Sequence, residues 1–175
     1  MLLDLPLADA SLLLDPAWFP ANRADALMLE LREGLDWEVH RIRMFGRMVD
    51  SPRLSSWIGD PGASYLYSGT RFEPRPWHPA LTQLRGELEA LLGVDFNSVL
   101  ANRYRDGRDA MGWHSDDERE LGSCPVITSV SLLVMRGNTQ ANYRHALPRT
   151  ARVVADRINL TFRCIHARNA GSGLG

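Results

Sequence analysis

Hydrophobic residues recur at helical spacing in the first third of the chain. Asn22 can cap a helix over residues 23–33, and Gly34 stands just past its end. The apolar residues expected on its buried face are Leu27, Met28 and Leu31. The pattern therefore predicts an amphipathic helix that packs through these three side chains.

A second helical pattern begins at Pro79 and stops before Gly93. Proline suits the first turn of a helix because its missing N–H has no partner there in any case, and glycine suits the residue after the last turn. The residues at helical spacing, all expected to pack in the core, are Leu81, Leu84, Leu88 and Leu91.

The rest of the pattern favours β-strands. Four stretches rich in apolar and β-branched residues predict one strand each, at 37–45, 96–104, 126–135 and 157–165. In the last of these, every second residue is polar, and alternate residues of a strand share one face. The residues on that face are Arg157, Asn159, Thr161 and Arg163. Such a row could hold a small dicarboxylate.

Length and composition predict one compact domain with a single core, since the chain has 175 residues of which 45% are apolar. No run of 18 apolar residues occurs, and residues 1–14 lack a basic start. Neither a membrane span nor a secretory signal is expected. We therefore expect a soluble, cytoplasmic protein, monomeric and without a membrane partner.

Charge is divided unevenly along the chain. The net charge of −1 is not that of a tight DNA binder, yet residues 41–108 hold ten arginines against seven acidic residues. The arginines that could contact phosphates are Arg41, Arg43, Arg47 and Arg53. Solvated surface charge is the competing interpretation.

A candidate metal site is carried by His114, Asp116 and His145. Two neutral imidazoles and one carboxylate form the facial triad that holds non-haem Fe(II) and leaves coordination positions open for a co-substrate and O₂. For His145 alone, a hydrogen-bonded structural histidine would be the simpler interpretation. The three residues together favour a metal centre.

Nine sequence blocks resemble the AlkB family of Fe(II)/2-oxoglutarate dioxygenases, and most closely its branch that removes alkyl groups from nucleic acid. The blocks occur in family order at residues 52–54, 59–60, 65–69, 76–77, 96–100, 104–107, 114–118, 145–148 and 157–163. The resemblance extends from Phe45 to Ile165, which is most of the chain.

The resemblance implies a mainly β fold with flanking helices (α+β), built on a double-stranded β-helix, or jelly roll. It also implies a division of the single domain 1–175. Residues 1–44 would form an N-terminal lead and helix, 45–95 a nucleotide-recognition region, 96–165 the jelly-roll core and 166–175 a flexible tail.

The resemblance further implies a reaction. Fe(II), bound by His114, Asp116 and His145, would use O₂ to convert 2-oxoglutarate to succinate and CO₂ while a C–H bond of the substrate is oxidised. The residues implied to bind 2-oxoglutarate are Asn102, Tyr104, Arg157, Asn159, Thr161 and Arg163. Guanidinium groups suit this role because they form planar, bidentate pairs with carboxylates.

For the substrate, the resemblance implies a methylated adenine or cytosine of DNA or RNA. Such a ring is cationic, so carboxylates beside an aromatic stack favour it over the ordinary base. The residues implied are Phe45, Tyr65, Tyr67, Ser68, Asp117 and Glu118, with Trp77 as a further candidate. Phe45 would fill the gap left by a flipped base, but an aromatic residue in a strand can equally be part of the core.

The chain departs from the family pattern between Ser131 and Leu132. Relatives have a further strand and a hairpin there, whereas here the two blocks are joined directly, and only 28 residues separate Asp116 from His145. We therefore expect a jelly roll that lacks about two strands. Three outcomes stay open: an active rearranged barrel, a folded protein with a damaged site, or an unstable remnant. A related oxygenase acting on protein or lipid is the alternative function.

Overall fold

The computed structural model describes residues 1–44, 46–67, 70–115, 124–128 and 130–165. Within these residues the helices are α1 (Ala21–Gly34), α2 (Pro79–Leu92) and α3 (Thr139–Asn142). The strands are β1 (Leu3–Leu5), β2 (Ser11–Asp15), β3 (Arg41–Met44), β4 (Arg47–Asp50), β5 (Leu54–Gly59), β6 (Tyr65–Tyr67), β7 (Thr70–Phe72), β8 (Ser98–Tyr104), β9 (Met111–His114), β10 (Cys124–Thr128), β11 (Ser131–Arg136), β12 (His145–Leu147) and β13 (Arg157–Arg163).

A seven-stranded sheet forms the centre of the fold, in the order β1-β2-β11-β10-β13-β8-β5, with every neighbouring pair antiparallel. Three two-stranded sheets accompany it: β9 with β12, β3 with β4, and β6 with β7. The described part of the chain is thus mostly β with few helices, as predicted, and is consistent with a jelly roll. No helix in it is long and apolar enough to cross a membrane.

The two faces of the large sheet have different chemistry. On one face, Ile158, Leu160 and Phe162 of β13 pack with Val99 and Ala101 of β8 in the main core. The helical leucines that complete this core are Leu31, Leu81, Leu84 and Leu88. Burial of apolar surface on this face fixes which residues of each strand point to the opposite face, because side chains alternate along a strand.

Helix α2 forms as the sequence predicts. Pro79 occupies its first turn, the backbone N–H of Ala80 donates to Nδ1 of His78, and Gly93 ends the helix in a left-handed conformation with φ of 67°. The expectation for Leu91 is wrong, since its side chain is 47% exposed. In the last turn Leu92 packs against the core instead.

Helix α1 begins earlier than predicted. Pro20 is the N-cap residue, and its carbonyl accepts from the N–H groups of Arg23 and Ala24, so Asn22 lies inside the first turn and makes no side-chain cap. Gly34 is still helical, and the helix ends at Leu35. The capping prediction for Asn22 is therefore wrong, while the predicted buried face is confirmed by Leu31, which is only 1% exposed.

The apolar run predicted as one strand at 126–135 is two antiparallel strands, β10 and β11, in which Thr128 pairs with Ser131. Only positions 129 and 130 separate the paired residues. The sequence marks this reversal weakly, because residues 128–131 contain no glycine, proline, asparagine or aspartate, and periodicity cannot distinguish one long strand from a tight hairpin there. The strand predicted at 37–45 is also shorter than expected, since β3 begins only at Arg41.

The N-terminal lead is part of the sheet. Strand β2 pairs with β11 through Leu14 and Leu133, and β1 pairs with β2 to form the edge of the sheet. The strand pattern of the sequence does not predict these two strands, although residues 11–14 include a short apolar run.

A close backbone contact ties two loops together. A Cβ at Gly107 would lie 2.4 Å from the carbonyl oxygen of Thr150, and the N–H of Thr150 donates to the carbonyl of Gly107 at 2.8 Å. Only glycine permits this approach. The loop after β8 is thereby held against the loop that leads from β12 to β13.

We predict that Leu84→Ala lowers the free energy of unfolding by about 2–5 kcal/mol, because it empties a fully buried position. Leu91→Ala on the same helix is the matched control, and removal of its exposed side chain should change stability by less than about 0.5 kcal/mol. Urea titrations of both variants measure the difference. Equal losses in the two variants would contradict this account of the core.

Candidate active site

A cavity of about 430 Å³ lies on the face of the large sheet opposite α1 and α2. Its walls come from β5, β8, β11 and β13 on one side and from β9 and β12 on the other. Because two sheets contribute, residues that are far apart in sequence meet in one space. All described candidates for metal and co-substrate binding line it.

Strand β13 supplies the polar row that the sequence predicts. Arg157, Asn159, Thr161 and Arg163 all line the cavity, while the intervening residues pack in the core. On β8, Asn102 and Tyr104 line the same cavity, and they are the direct cross-strand partners of Asn159 and Arg157. The register of β8 and β13 thus assembles the predicted polar group on one surface.

His114 and His145 are brought together by the pairing of β9 with β12, in which they are direct partners. Their ring centroids are 4.1 Å apart, with 55° between the ring planes. The register shifts immediately beside this pair, between His145 and Leu147, and such irregularities redirect side chains. Metal–nitrogen bonds are about 2.0–2.1 Å long, so one nitrogen of each ring can reach a common ion.

The backbone fixes the orientation of the His114 ring. Its Nδ1 lies 2.8 Å from the carbonyl oxygen of Gly112. A carbonyl can only accept a hydrogen bond, so Nδ1 carries a proton and donates, and Nε2 is the ring nitrogen that would bind a metal. Metal-binding histidines are commonly oriented by such a bond from the other ring nitrogen.

Two guanidinium groups line the cavity at opposite ends of β13. The group of Arg157 lies over the ring of its cross-strand partner Tyr104, with 5.2 Å from Cζ to the ring centroid. Burial lowers the pKa of Arg157, because the charged form is separated from water. Arg163 is more deeply buried, at 2% exposure. The two arginines are six positions apart, which corresponds to about 20 Å of strand, and their long side chains can converge on a ligand between them.

Arg53, one of the predicted phosphate contacts, has a different location. Its side chain is 8% exposed, and its Nε donates to Oδ1 of Asn102 at 2.9 Å. The prediction that Arg53 contacts phosphate at the surface is wrong, because its side chain is buried and lines the cavity. The side chain of Arg41, by contrast, is exposed, and its Nε lies 3.6 Å from Oδ1 of Asp50. Its contact with phosphate stays a prediction.

Trp77 does not line this cavity. Its indole N–H donates to Asp60 at 2.7 Å, its ring stacks on Phe162 with 6.4 Å between centroids, and it packs against the main core. These contacts give Trp77 a structural role, and its candidacy as a base contact is not supported.

Several predicted residues lie outside the described part of the chain. These are Phe45, Ser68, Asp116, Asp117 and Glu118. Tyr65 and Tyr67 belong to the short strand β6, where they pair with Phe72 and Thr70 in the backbone ladder. The third predicted metal ligand, Asp116, comes two residues after His114 and follows directly on the end of β9.

Other residues of the cavity were not expected from the sequence. His40 and Phe72 form an edge-to-face pair with centroids 4.6 Å apart, and both line the cavity. Tyr143 lines it as well, and its hydroxyl donates to the carbonyl of Ala8 at 2.9 Å, which ties the segment after α3 to the turn between β1 and β2. Single aromatic and imidazole side chains in loops carry no periodic signal, so only the tertiary structure reveals them.

The chain resembles known proteins over most of its length. Residues 11–133 match the model of the 2OG-Fe(II) oxygenase superfamily. The alkB homolog 3 of Bos taurus, an alpha-ketoglutarate-dependent dioxygenase, is 32% identical over 193 aligned positions, which take in 90% of this chain and 67% of that protein. The human DNA oxidative demethylase ALKBH2 is 33% identical over 184 positions, which take in 84% of this chain and 70% of that protein. ALKBH2 of Arabidopsis thaliana is 30% identical, with 77% and 60% coverage.

We predict that His40 makes stability depend on pH. Burial lowers the pKa of His40, and Arg53 and Arg75 lower it further while the Glu38 carboxylate opposes them. The unfolded chain takes up a proton near pH 6.5 that the folded protein does not, so stability should decrease as the pH falls from about 6.5. Urea unfolding at pH 7.5 and 5.5 measures this decrease. It should be smaller in His40→Gln, and an identical decrease in both proteins would exclude the role of His40.

Proposed function

Because the chain belongs to the 2OG-Fe(II) oxygenase superfamily and, within it, to the AlkB family, we propose that it removes methyl groups from alkylated bases in nucleic acid by oxidation. The protein is thus a 2-oxoglutarate-dependent dioxygenase that requires Fe(II), 2-oxoglutarate and O₂. One observation carries the proposal: the histidine pair and the polar row of β13 line the same cavity. The similarity to relatives named DNA oxidative demethylase supports the choice of substrate class.

The cavity has the charge that a dicarboxylate requires. Arg157 is half-buried, and no carboxylate of the described residues forms an ion pair with it. A guanidinium in such a position favours an anionic ligand, because a buried charge is costly unless it is paired. We propose that Arg157 and Arg163 bind the two carboxylates of 2-oxoglutarate, with Asn102, Tyr104, Asn159 and Thr161 lining the site between them.

The donor set also suits Fe(II). We propose that His114, His145 and Asp116 are the metal ligands, with the carboxylate supplied by the segment that follows β9. Two imidazole nitrogens and one carboxylate oxygen form the set expected for non-haem iron oxygenases. The hydrogen bond from Nδ1 to the Gly112 carbonyl orients the His114 ring, so Nε2 is the nitrogen that would bind the metal. When bound, the iron with 2-oxoglutarate and O₂ supplies the oxidant that attacks the methyl group.

The balance of the reaction follows from the co-substrate. One oxygen atom of O₂ enters succinate as 2-oxoglutarate loses CO₂, and the other enters the methyl C–H bond. The resulting hydroxymethyl group leaves the ring nitrogen as formaldehyde, which restores the ordinary base. The residues of the chain bind and orient the reactants.

For recognition of the base, we propose the residues that the family pattern indicates around 45–95 and after β9. Asp117 and Glu118 would face the exocyclic amino group and the positive ring, Tyr65, Tyr67 and Ser68 would line the pocket, and Phe45 would fill the gap in the stack. The aromatic pair of His40 and Phe72 at the cavity supports this placement, since both contact the same space as the histidine pair.

We further propose that the chain is a shortened jelly roll whose missing strands belonged to the sheet that contains β9 and β12. Two observations support this. β10 and β11 are neighbours in the large sheet, so a hairpin can join them without disturbing its order, and β9 and β12 are the two strands of the smaller sheet among the described residues. In addition, alignments over 193 positions take in only 90% of a 175-residue chain, which requires gaps in this chain.

Turnover with a methylated oligonucleotide tests the function. We expect succinate and formaldehyde in equal amounts with 1-methyladenine or 3-methylcytosine in the strand, and loss of the methyl group by mass spectrometry. His114→Ala should lower the rate by more than about a hundredfold, because it removes a metal ligand. His78→Asn is the control, since His78 caps α2 and asparagine keeps the cap. Full activity of His114→Ala would contradict the metal assignment, and an inactive, folded wild-type protein that binds 2-oxoglutarate would contradict the substrate.

A separate prediction concerns the acidic pair. Glu118→Ala should raise the KM for the methylated oligonucleotide while the slow formation of succinate without nucleic acid continues, because the carboxylate contacts the base and not the metal. Parallel measurements of succinate with and without oligonucleotide separate the two effects. If both rates fell equally, Glu118 would act on the metal or co-substrate and not on the base.

A further inference from the structure

Asn102 lies in a buried group of hydrogen bonds beneath the cavity. Its Oδ1 accepts from Nε of Arg53 at 2.9 Å and from Oγ of Ser55 at 2.8 Å. The three residues are 3%, 8% and 3% exposed, for Asn102, Arg53 and Ser55 respectively. Ser55 and Asn102 are also direct cross-strand partners on β5 and β8, so the backbone ladder itself sets their separation.

These two donors determine which way the amide of Asn102 points. An arginine Nε can only donate, so the amide atom that faces it must be the oxygen and not the nitrogen. With Oδ1 turned toward β5, the Nδ2 group is turned away from β5. The described residues offer no acceptor to Nδ2, and Asn102 lines the cavity next to its other cross-strand partner, Asn159 on β13.

We propose that Arg53 and Ser55 are positioning residues, which hold the Asn102 amide so that Nδ2 donates to a carboxylate oxygen of 2-oxoglutarate. This inference rests on the proposed function, because it deepens the description of the co-substrate site. Without the two donors the amide can rotate by half a turn and present Oδ1 to the carboxylate. Two acceptors would then face each other, and the site would lose a hydrogen bond to a charged group.

The arrangement also accounts for the burial of Arg53, which stands directly before β5. Arg53, just before β5, and Ser55, within it, both line the cavity and are two positions apart, so they lie on the same face. Both therefore reach Asn102 from the same side. A lysine at position 53 would not provide the fixed Nε donor, since its only donors are at the end of a flexible chain.

Binding of 2-oxoglutarate to the Mn(II)-loaded full chain, measured by calorimetry, tests the inference without turnover. Asn102→Asp still accepts from Arg53 and Ser55 but has no donor for the ligand, so affinity should fall about ten- to a hundredfold while the protein stays folded. Ser55→Ala should weaken binding by about three- to tenfold, and Ser55→Thr, which keeps the hydroxyl, should restore wild-type affinity. Ser56→Ala is the matched control: Ser56 is 2% exposed on the same strand, and its hydroxyl has no hydrogen-bond partner among the described residues.

A double-mutant cycle separates positioning from a general loss of structure. If Ser55 acts through Asn102, Ser55→Ala should have no further effect on affinity when combined with Asn102→Ala. The same fold-change in both backgrounds would overturn the inference, as would wild-type affinity in Ser55→Ala. A wild-type protein that binds no 2-oxoglutarate would instead refute the proposed function itself. Thermal unfolding of each variant confirms that folded proteins are compared.

Discussion

The antiparallel pairing of β8 with β13 is the constraint on which the site depends. In this pair, apolar residues pack under the two long helices, and the residues between them line the cavity. A shift of register by one residue would turn Arg163 and Asn159 into the core and expose Phe162, so the burial of the apolar set holds the polar set in place. The hydrophobic core and the co-substrate site are therefore two consequences of one alternation along the strand.

The two-stranded sheet of β9 and β12 supplies the two histidines of the site, which the large sheet does not carry. β9 and β12 are short, yet their pairing brings together two imidazoles that lie 31 positions apart in the sequence. The contact of Gly107 with Thr150 holds the loop that leads into β9 against the loop that leaves β12. The large sheet therefore carries the polar row, and the sheet of β9 and β12 carries the histidines.

Local signals in the sequence were sufficient where the structure is local. Pro79 and Gly93 define α2 because the requirements of a helix end act within a few residues, and the alternation along β13 identifies its cavity face. The burial of Arg53 could not be predicted, because its partner Asn102 is 49 residues away and only strand pairing brings them together. The reversal between β10 and β11 was missed because residues 128–131 contain no glycine, proline, asparagine or aspartate to mark a turn.

The tight hairpin of β10 and β11 also has a consequence for the order of folding. Residues that pair within a few positions of each other form contacts early, since little chain entropy is lost in closing so short a loop. The flanking partners are remote, as Leu14 pairs with Leu133 from the opposite end of the chain. We infer that the hairpin can nucleate the large sheet and that recruitment of β2, over a span of more than a hundred residues, sets the pace at which the sheet is completed.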